Sequence, residues 1–538
     1  MSSFSGIERS APLDGEITKD KSVQLEAWDT ESRDTNSTDP RTLQPNLRPA
    51  TACYLPQDLA IPPSEDGSYT PPPPDTSLVH FLRQVSDEDW LEYCTQWHRR
   101  QTTPPEEYEY NRHGECGTWQ EDYIQLHNKG IATLQLLKSG TSIAEDGNPV
   151  KYVSYVCNDV SRSFKACGGL ADRMCGMIST FFFALLTGRT YLAYWHETNP
   201  HPLEYIFEHP YVDWRFDPKA MRNIFVDIST EASLALDSVD QESMRVVNVV
   251  DRVRHEIDQT YFPDGAMQDF DNLWNESYLE ISSNRAFIVR TFQLSKRYPS
   301  ILQAMGLLKG NAFGCITDFL FRSTVGARRF IDAYKDVFAL DSVFSIGIQI
   351  RTGDAGLVNP TLDTPTIDSY SYFLTCAKQL AQTYRKPQHR KVVYYLITDS
   401  KALRDGFSHL NHDPTLAKQY LAQDATILTT GLPIVHLDAK SRKVAQYINS
   451  THPQEENTAE ERISGTTSVI IENWLLSYTD YRVISYGGFG KIAAFHSSKD
   501  GTTVMIPKRI NAKNKVPDCS LPNAFISYDE LAGMWSLG

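Results

Sequence analysis

From about residue 341 the chain alternates between short apolar runs and stretches with apolar residues at helical spacing. Val343 to Ile350 is the plainest run, β-rich with few polar residues, as expected of a strand buried on both faces. It stops at Arg351, and Thr352-Gly353-Asp354 reads as a turn. The same pattern predicts helices over Ser369–Tyr384, Lys401–Phe407, Thr467–Ser477 and Phe489–Ser497. Between and after them it predicts strands over Val392–Ile397, Ile434–Leu437, Tyr481–Ser485 and Thr503–Ile506. Strands alternating with helices imply a parallel, doubly wound sheet.

An earlier unit of the same kind starts near Tyr152. Tyr152–Val156 reads as a strand, Cys167 to Arg173 as a glycine loop, and Tyr191–Trp195 as the next strand. Leu170, Met174, Met177, Ile178, Phe181 and Leu185 repeat at helix spacing. Phe182, Phe183 and Leu186 make that helix apolar nearly all round, so it is expected to be buried, with Gly188 ending it. Residues 196 to 340 are less regular, with helices predicted over Phe313–Phe321 and Val325–Val337. Ahead of the first unit, Ser86-Asp87-Glu88-Asp89 reads as a helix start, followed by Trp90, Tyr93, Cys94 and Trp97 at helical spacing. A second helix is predicted over Trp119–Leu137. The expected organisation is a disordered segment 1–76, a helical stem 77–149, an N-terminal Rossmann-like unit 150–340, a second such unit 341–512 and an extension 513–538. Two such units facing across a cleft form a natural substrate site.

Composition narrows the function classes. Of 538 residues, 41% are hydrophobic and 22% charged, ordinary for a globular protein. The formal charge of -15 and the lack of a long Lys/Arg run argue against nucleic acid and against docking on anionic membranes. Met1 to Asp39 carries no apolar core of a signal peptide or anchor. The longest apolar run, Ile178 to Leu186, is too short to span a bilayer. The nine cysteines contain no CxxC pair, which disfavours a zinc site. Asn36, Asn275 and Asn449 head glycosylation sequons, which arise often by chance.

Four features then fall at ligand-facing positions. Parallel sheets bind ligands outside the carboxyl ends of their strands. Arg351 sits at such an end, and its planar guanidinium matches a diphosphate. Gly168-Gly169-Leu170-Ala171-Asp172-Arg173 opens the buried helix; glycines admit close backbone approach, and a helix N-terminus attracts anions. It is not a GxGxxG dinucleotide fingerprint, and a structural tight turn is the plain alternative. Thr398-Asp399-Ser400 ends another predicted strand, where Asp399 on its own reads as a helix cap. Glu472 lies in an otherwise apolar helix, followed by Ser485-Tyr486-Gly487-Gly488-Phe489-Gly490. A carboxylate at 472 can accept two hydrogen bonds from a guanine edge, and the glycine turn can cradle phosphate.

With those blocks in order, the chain resembles the GDP-fucose-dependent fucosyltransferases of GT-B fold, and within them the plant xyloglucan α1,2-fucosyltransferase family. The resemblance runs from about residue 150 to 500. It rests on Gly168 to Arg173, Ala184-Leu185-Leu186-Thr187-Gly188-Arg189, Leu203 to Pro210, Cys315 to Phe321, Gly347 to Arg351, and Glu472 to Asp480. It implies a GT-B-like α/β fold and an inverting, metal-independent transfer of L-fucose from GDP-fucose to a glycan or glycoprotein hydroxyl, with no resident cofactor. Arg351 and Asp172 are the implied catalytic residues. Donor binding would fall to Gly169, Arg173, Gln349, Asp354, Asp399 and Glu472, with the turn Gly488, Phe489 and Gly490.

The chain departs from the family pattern in three places. Asp172 stands where the family usually has Asn, Gly487-Gly488 replaces a Ser-Thr pair, and Thr352-Gly353-Asp354 replaces a more basic stretch. The family's usual Golgi anchor has no counterpart, which leaves the compartment open. Asp269-Phe270-Asp271 is a DxD, a motif that holds Mn²⁺ in other glycosyltransferases, and its polar surroundings argue against that use here. Asp172, His196 and Glu197 are the candidate bases for the acceptor proton. The alternatives are a catalytically impaired GDP-sugar-binding or interaction protein on the same fold, and a transferase for another sugar nucleotide.

Overall fold

Two parallel sheets, each with helices against it, carry the chain. The computed structural model describes residues 55, 71–102, 116–139, 149–157, 169–195, 203–209, 211–225, 243–353, 355–434, 459–507, 510 and 515–534. All of them fall in one unit, Ala52–Gly538. The predicted disordered segment therefore lies outside the described residues except for Leu55 and the residues from Pro71 on.

The first lobe is built on β1 (Tyr152–Cys157), β2 (Thr190–Trp195), β4 (Met244–Asn248) and β5 (Tyr278–Ser282), in the order β2-β1-β5-β4 and parallel throughout. A short antiparallel pair, β3 (Phe207–Glu208) and β6 (Arg322–Ser323), stands apart from that sheet. The periodicity located β1 and β2 but not β4 and β5. Their interiors carry Arg245 and Glu280, which break the apolar run. Glu280 is buried and holds Arg222 through Nε at 2.8 Å, so its charge is paired inside the fold.

Helix α4 (Leu170–Thr187), after α1 to α3 defined below, is the apolar core of this lobe, as its all-round pattern requires. By length and composition α4 is apolar enough to cross a membrane, yet most of it is buried inside this lobe. Phe181, Phe182 and Phe183 are fully buried and meet Trp119, Phe287 and Trp274 respectively at ring-centroid distances of 5.9, 5.5 and 5.2 Å. Each such buried ring contributes roughly 2–3 kcal/mol by area removed from water.

The second lobe is a five-stranded parallel sheet. Its strands are β7 (Val343–Ile350), β8 (Lys391–Thr398), β9 (Ala425–Leu428), β10 (Tyr481–Ser485) and β11 (Thr503–Ile506), in the order β11-β10-β7-β8-β9. β7 is buried at all of its residues, as the sequence pattern predicts. Of the strand expected at Ile434–Leu437, Ile434 is not in a strand, and Val435 to Leu437 lie outside the described residues. The fifth strand is β9, whose alanine and threonine hid it, and whose role comes from pairing with β8. The remaining helices are α5 (Pro218–Phe225) to α8 (Tyr298–Ala304) in the first lobe's long insertion, then α9 (Ala312–Leu320), α10 (Val325–Phe338), α11 (Ala355–Val358), α12 (Ile367–Tyr384), α13 (Lys401–His409), α14 (Pro414–Tyr420), α15 (Ala459–Tyr478), α16 (Gly488–His496) and α17 (Tyr528–Met534).

One apolar core runs from Phe181 and Ile178 of the first lobe to Ile484, Ala493 and Trp474 of the second. Helix α16 sits within it, packed on α4, α9 and α15. Its last residue, His496, is buried and hydrogen-bonded to Asp318 of α9 at 2.7 Å. The lobes are therefore joined through a largely buried helix contact at this point.

The helices expected to form a stem divide between the lobes. Helices α1 (Thr76–Gln84) and α2 (Asp87–Thr102) pack on the second. There Tyr93 donates to Ala333 O at 3.3 Å, and Arg100 Nε to Asp336 at 2.7 Å. Helix α3 (Trp119–Lys138) lies on β2, where the Tyr123 hydroxyl donates to Arg189 O at 2.9 Å and accepts from Tyr191 N at 3.0 Å. Cys116–Cys315 and Cys376–Cys519 are disulfides; Cys94 and Cys157 are also disulfide-bonded, and Cys175 is a buried free thiol.

Candidate active site

Four neighbouring strands of the second sheet end at one edge, and each delivers polar groups there. Arg351 follows β7, Asp399 follows β8, Thr430 lies just beyond β9, and Ser485 ends β10. The main-chain N–H of Arg351 donates to Ser485 Oγ at 2.9 Å, which ties the end of β7 to the start of the glycine turn.

Asp399 organises the turn after β7. Its Oδ1 accepts from Thr352 N at 2.7 Å and Thr352 Oγ1 at 3.0 Å. Its Oδ2 accepts from Gly353 N at 3.1 Å and from Arg351 Nη1 at 2.6 Å. The reading of Asp399 as a helix cap is thus corrected. The cap of α13 is Ser400, whose Oγ accepts from Leu403 N at 3.0 Å. Because β8 runs one residue further than predicted, Asp399 stays level with the irregular turn and uses both oxygens on its unpaired donors. The Arg351 side chain keeps 38% of its surface exposed, so the ion pair adds little stability; what it fixes is the direction of the guanidinium.

Gln349 lies one residue pair inside the edge. It is nearly buried, and its Oε1 accepts from Ser485 N at 3.2 Å. A Cβ at Gly490 would come within 2.8 Å of Ile484 Cβ and 3.0 Å of Gln349 Oε1. Glycine there is what lets α16 lie directly on β7 and β10. Gln349 therefore acts on the seating of α16.

Two helices begin at glycines, and their electrostatics differ. At the head of α4, the carboxylate of Asp172 accepts from Gly169 N at 3.2 Å. That N-terminus already holds its own anion, which opposes a second one. Arg173 is buried below it with its guanidinium carbon 5.4 Å from the Trp195 ring centroid. At the head of α16, Gly487 offers no side-chain acceptor. The first-turn amides of Gly488, Phe489 and Gly490 are the ones an α-helix leaves without intrahelical acceptors. Asn473 Nδ2 donates to Phe489 O at 2.7 Å and pins this start to α15. Lys491 is buried one turn in, with Nζ 5.3 Å from the Tyr486 ring centroid, and adds a positive charge to the same end. Of the two, α16 is the better anion site.

Glu472 lies on α15 beside the end of β9. Its Oε1 accepts from Thr430 Oγ1 at 2.6 Å. Burial pushes its carboxyl up to about 7, against the opposing pull of that hydrogen bond and of the Arg404 charge. No described residue donates to its Oε2.

Gly168, Asp354, His196 and Glu197 lie outside the described residues. Asp269 of the DxD is already engaged: it accepts from Asp271 N, Asn272 Nδ2 and the Tyr298 hydroxyl, each at 3.2 Å, and pairs with Arg297 at 3.1 Å. Among the described residues, no group of three or more metal-ligating side chains occurs. Thr430 was missed by sequence reasoning, and Ser485 and Asn473 fell inside the candidate block without a role of their own. A hydroxyl just past a strand end was the available signal for Thr430, and it was lost with β9.

The chain resembles fucosyltransferases of known structure. A variant of FUT1 of Arabidopsis thaliana in complex with GDP is 16% identical, over 75% of this chain and 81% of that one, with a TM-score of 0.47. The α-1,6-fucosyltransferase NodZ soaked with GDP-fucose is 14% identical, over 68% of this chain and 97% of that one, with a TM-score of 0.37. NodZ from Bradyrhizobium, without a ligand named, is 14% identical over 64% and 92%, with a TM-score of 0.34. No family model matches the chain, and no curated protein matches its sequence.

Proposed function

We propose that this protein is an inverting, metal-independent fucosyltransferase that moves L-fucose from GDP-fucose to a hydroxyl of a glycan or glycoprotein. The observation that carries the reading is the main-chain contact of Arg351 with Ser485, which ties the end of β7, where Asp399 directs the guanidinium, to the turn that leads into the open N-terminus of α16. A diphosphate leaving group needs a cation and fixed donors where its charge grows, and these two supply both. The ordered sequence blocks select GDP-fucose among sugar nucleotides.

In this account Glu472 reads the guanine edge through Oε2 while Thr430 holds Oε1. Arg351 and the amides of Gly488 to Gly490 take the β-phosphate. As the bond from the fucose anomeric carbon to the β-phosphate oxygen breaks, positive charge builds on the sugar ring and negative charge on the departing GDP. The acceptor oxygen adds from the opposite face and gives its proton to a base, for which Asp172 is the described candidate. No step in this account calls on a metal, since Arg351 and the amides of α16 would balance the leaving-group charge.

The test is a thermal-shift screen of nucleotides and nucleotide sugars on the full chain, followed by product analysis with GDP-fucose. GDP and GDP-fucose should raise the melting temperature, with UDP and ADP much weaker. A clear preference for another nucleotide would overturn the assignment.

A further inference from the structure

The loop that carries Thr430 is held by an element far away in sequence. Tyr334 of α10 is completely buried, and its hydroxyl donates to Thr429 O at 2.6 Å. The same hydroxyl accepts from Asp75 N at 3.3 Å, at the cap of α1. Next to it, Gly431 has φ +68, and a Cβ there would come within 3.1 Å of Asp75 Oδ2. Asp75 thus lies directly against the turn Thr429 to Leu432. On the turn's other side, Thr430 Oγ1 reaches Glu472 at 2.6 Å and Leu432 O accepts from Arg404 Nη1 at 2.6 Å. The four residues are clamped between the start of α1 and the helices that bear Glu472 and Arg404.

We propose that Tyr334 is a positioning residue for recognition of the nucleotide base, and that the start of α1 is thereby part of the donor pocket. The inference rests on the reading of Glu472 as the guanine acceptor. The free oxygen of a carboxylate meets the N–H donors of a base only if the carboxylate plane is fixed, and among the described residues the one side-chain group that donates to it is Thr430. Thr430 is in turn placed by the backbone of Thr429, which Tyr334 pins to Asp75. A phenylalanine at 334 keeps the ring packing on Phe330 and Tyr395 and removes only the pin. The carboxylate then loses its fixed orientation, while phosphate contacts at Arg351 and α16 are untouched.

The experiment is calorimetric binding of GDP and UDP to the full-length protein and to Tyr334→Phe, Thr430→Val and Glu472→Gln, with melting temperatures taken in parallel. Tyr334→Phe should lower GDP affinity on the order of tenfold, the size of one net hydrogen bond, with UDP affinity unchanged. Thr430→Val should do the same from the loop itself, and it serves if Tyr334→Phe does not fold. A purely structural role would lower the melting temperature and leave the GDP-to-UDP ratio as it was. If that ratio holds in Tyr334→Phe and Thr430→Val but collapses in Glu472→Gln, the clamp has no part in base recognition and the proposal is overturned. If it holds in all three, Glu472 does not read guanine, and the proposal falls with that reading.

Discussion

The hydroxyl of Thr430 donates to one oxygen of Glu472 across 42 residues of chain, at 2.6 Å, where the end of β9 meets α15. That bond orients one carboxylate oxygen, and no described residue donates to the other. The cost is a carboxylate in a desolvated place.

Glu472→Gln should therefore separate stability from function. The usual value for this carboxyl is 4.5, and burial raises it to about 7 in the native protein. The native state thus holds a proton that the unfolded chain has released, so the stabilisation is full below about pH 4.5 and is lost as pH rises through about 7. At pH 8 the glutamine variant should be more stable than the parent by about 2 kcal/mol, and at pH 4 the two should match. The same variant should bind GDP at least tenfold more weakly. Parent affinity for GDP, measured against UDP as reference, should also fall as pH drops below about 7. Denaturant melts at both pH values and calorimetry check both halves; unchanged GDP binding would remove Glu472 from the base site.

Asp399→Asn should lower turnover by roughly tenfold with a small change in GDP affinity, because an amide cannot accept from all the donors that the carboxylate now holds. Single-turnover kinetics read the effect. Unchanged turnover would mean that Arg351 finds its orientation without Asp399.

Much of this arrangement was legible in the sequence, for physical reasons. β7 is buried on both faces, so its run carried few polar residues and Arg351 marked its end. Helix α4 is buried all round and showed it. β4, β5 and β9 were not legible, because paired charges in β4 and β5 and small or polar residues in β9 interrupt the pattern, and partner strands decide their state. Asp399, Glu472 and the glycine turn were visible as candidates. What each does was not, since it depends on contacts such as Thr352 to Asp399 and Thr430 to Glu472 that join distant segments. The clamp at Tyr334 had no local signal at all.

The disulfides give a further check. Cys116–Cys315 and Cys376–Cys519 close separations of 199 and 143 residues. The chain-entropy account assigns about 5 kcal/mol to cross-links of that span. Reductant should lower the melting temperature markedly. In denaturant without reductant, a maleimide should label Cys175 and none of Cys94, Cys116, Cys157, Cys315, Cys376 and Cys519, as read by peptide mass mapping. Labelling of any of those six would contradict the pairing.

If Arg351 supplies the counter-charge as proposed, transfer should survive EDTA, since Asp269 is committed to Arg297 and to its own turn. Turnover lost on chelation and restored by Mn²⁺ would contradict metal independence.

The most direct test of the account is steady-state kinetics of Arg351→Lys and Arg351→Ala, each confirmed as folded by circular dichroism. Lysine keeps the charge but lacks the planar fork that Asp399 directs. If the arginine acts on the leaving group, kcat should fall on the order of 100-fold or more in both variants, with a smaller rise in KM, because that charge grows only in the transition state. Near-parental turnover in either folded variant would contradict the central claim, that the end of β7 is where GDP departs.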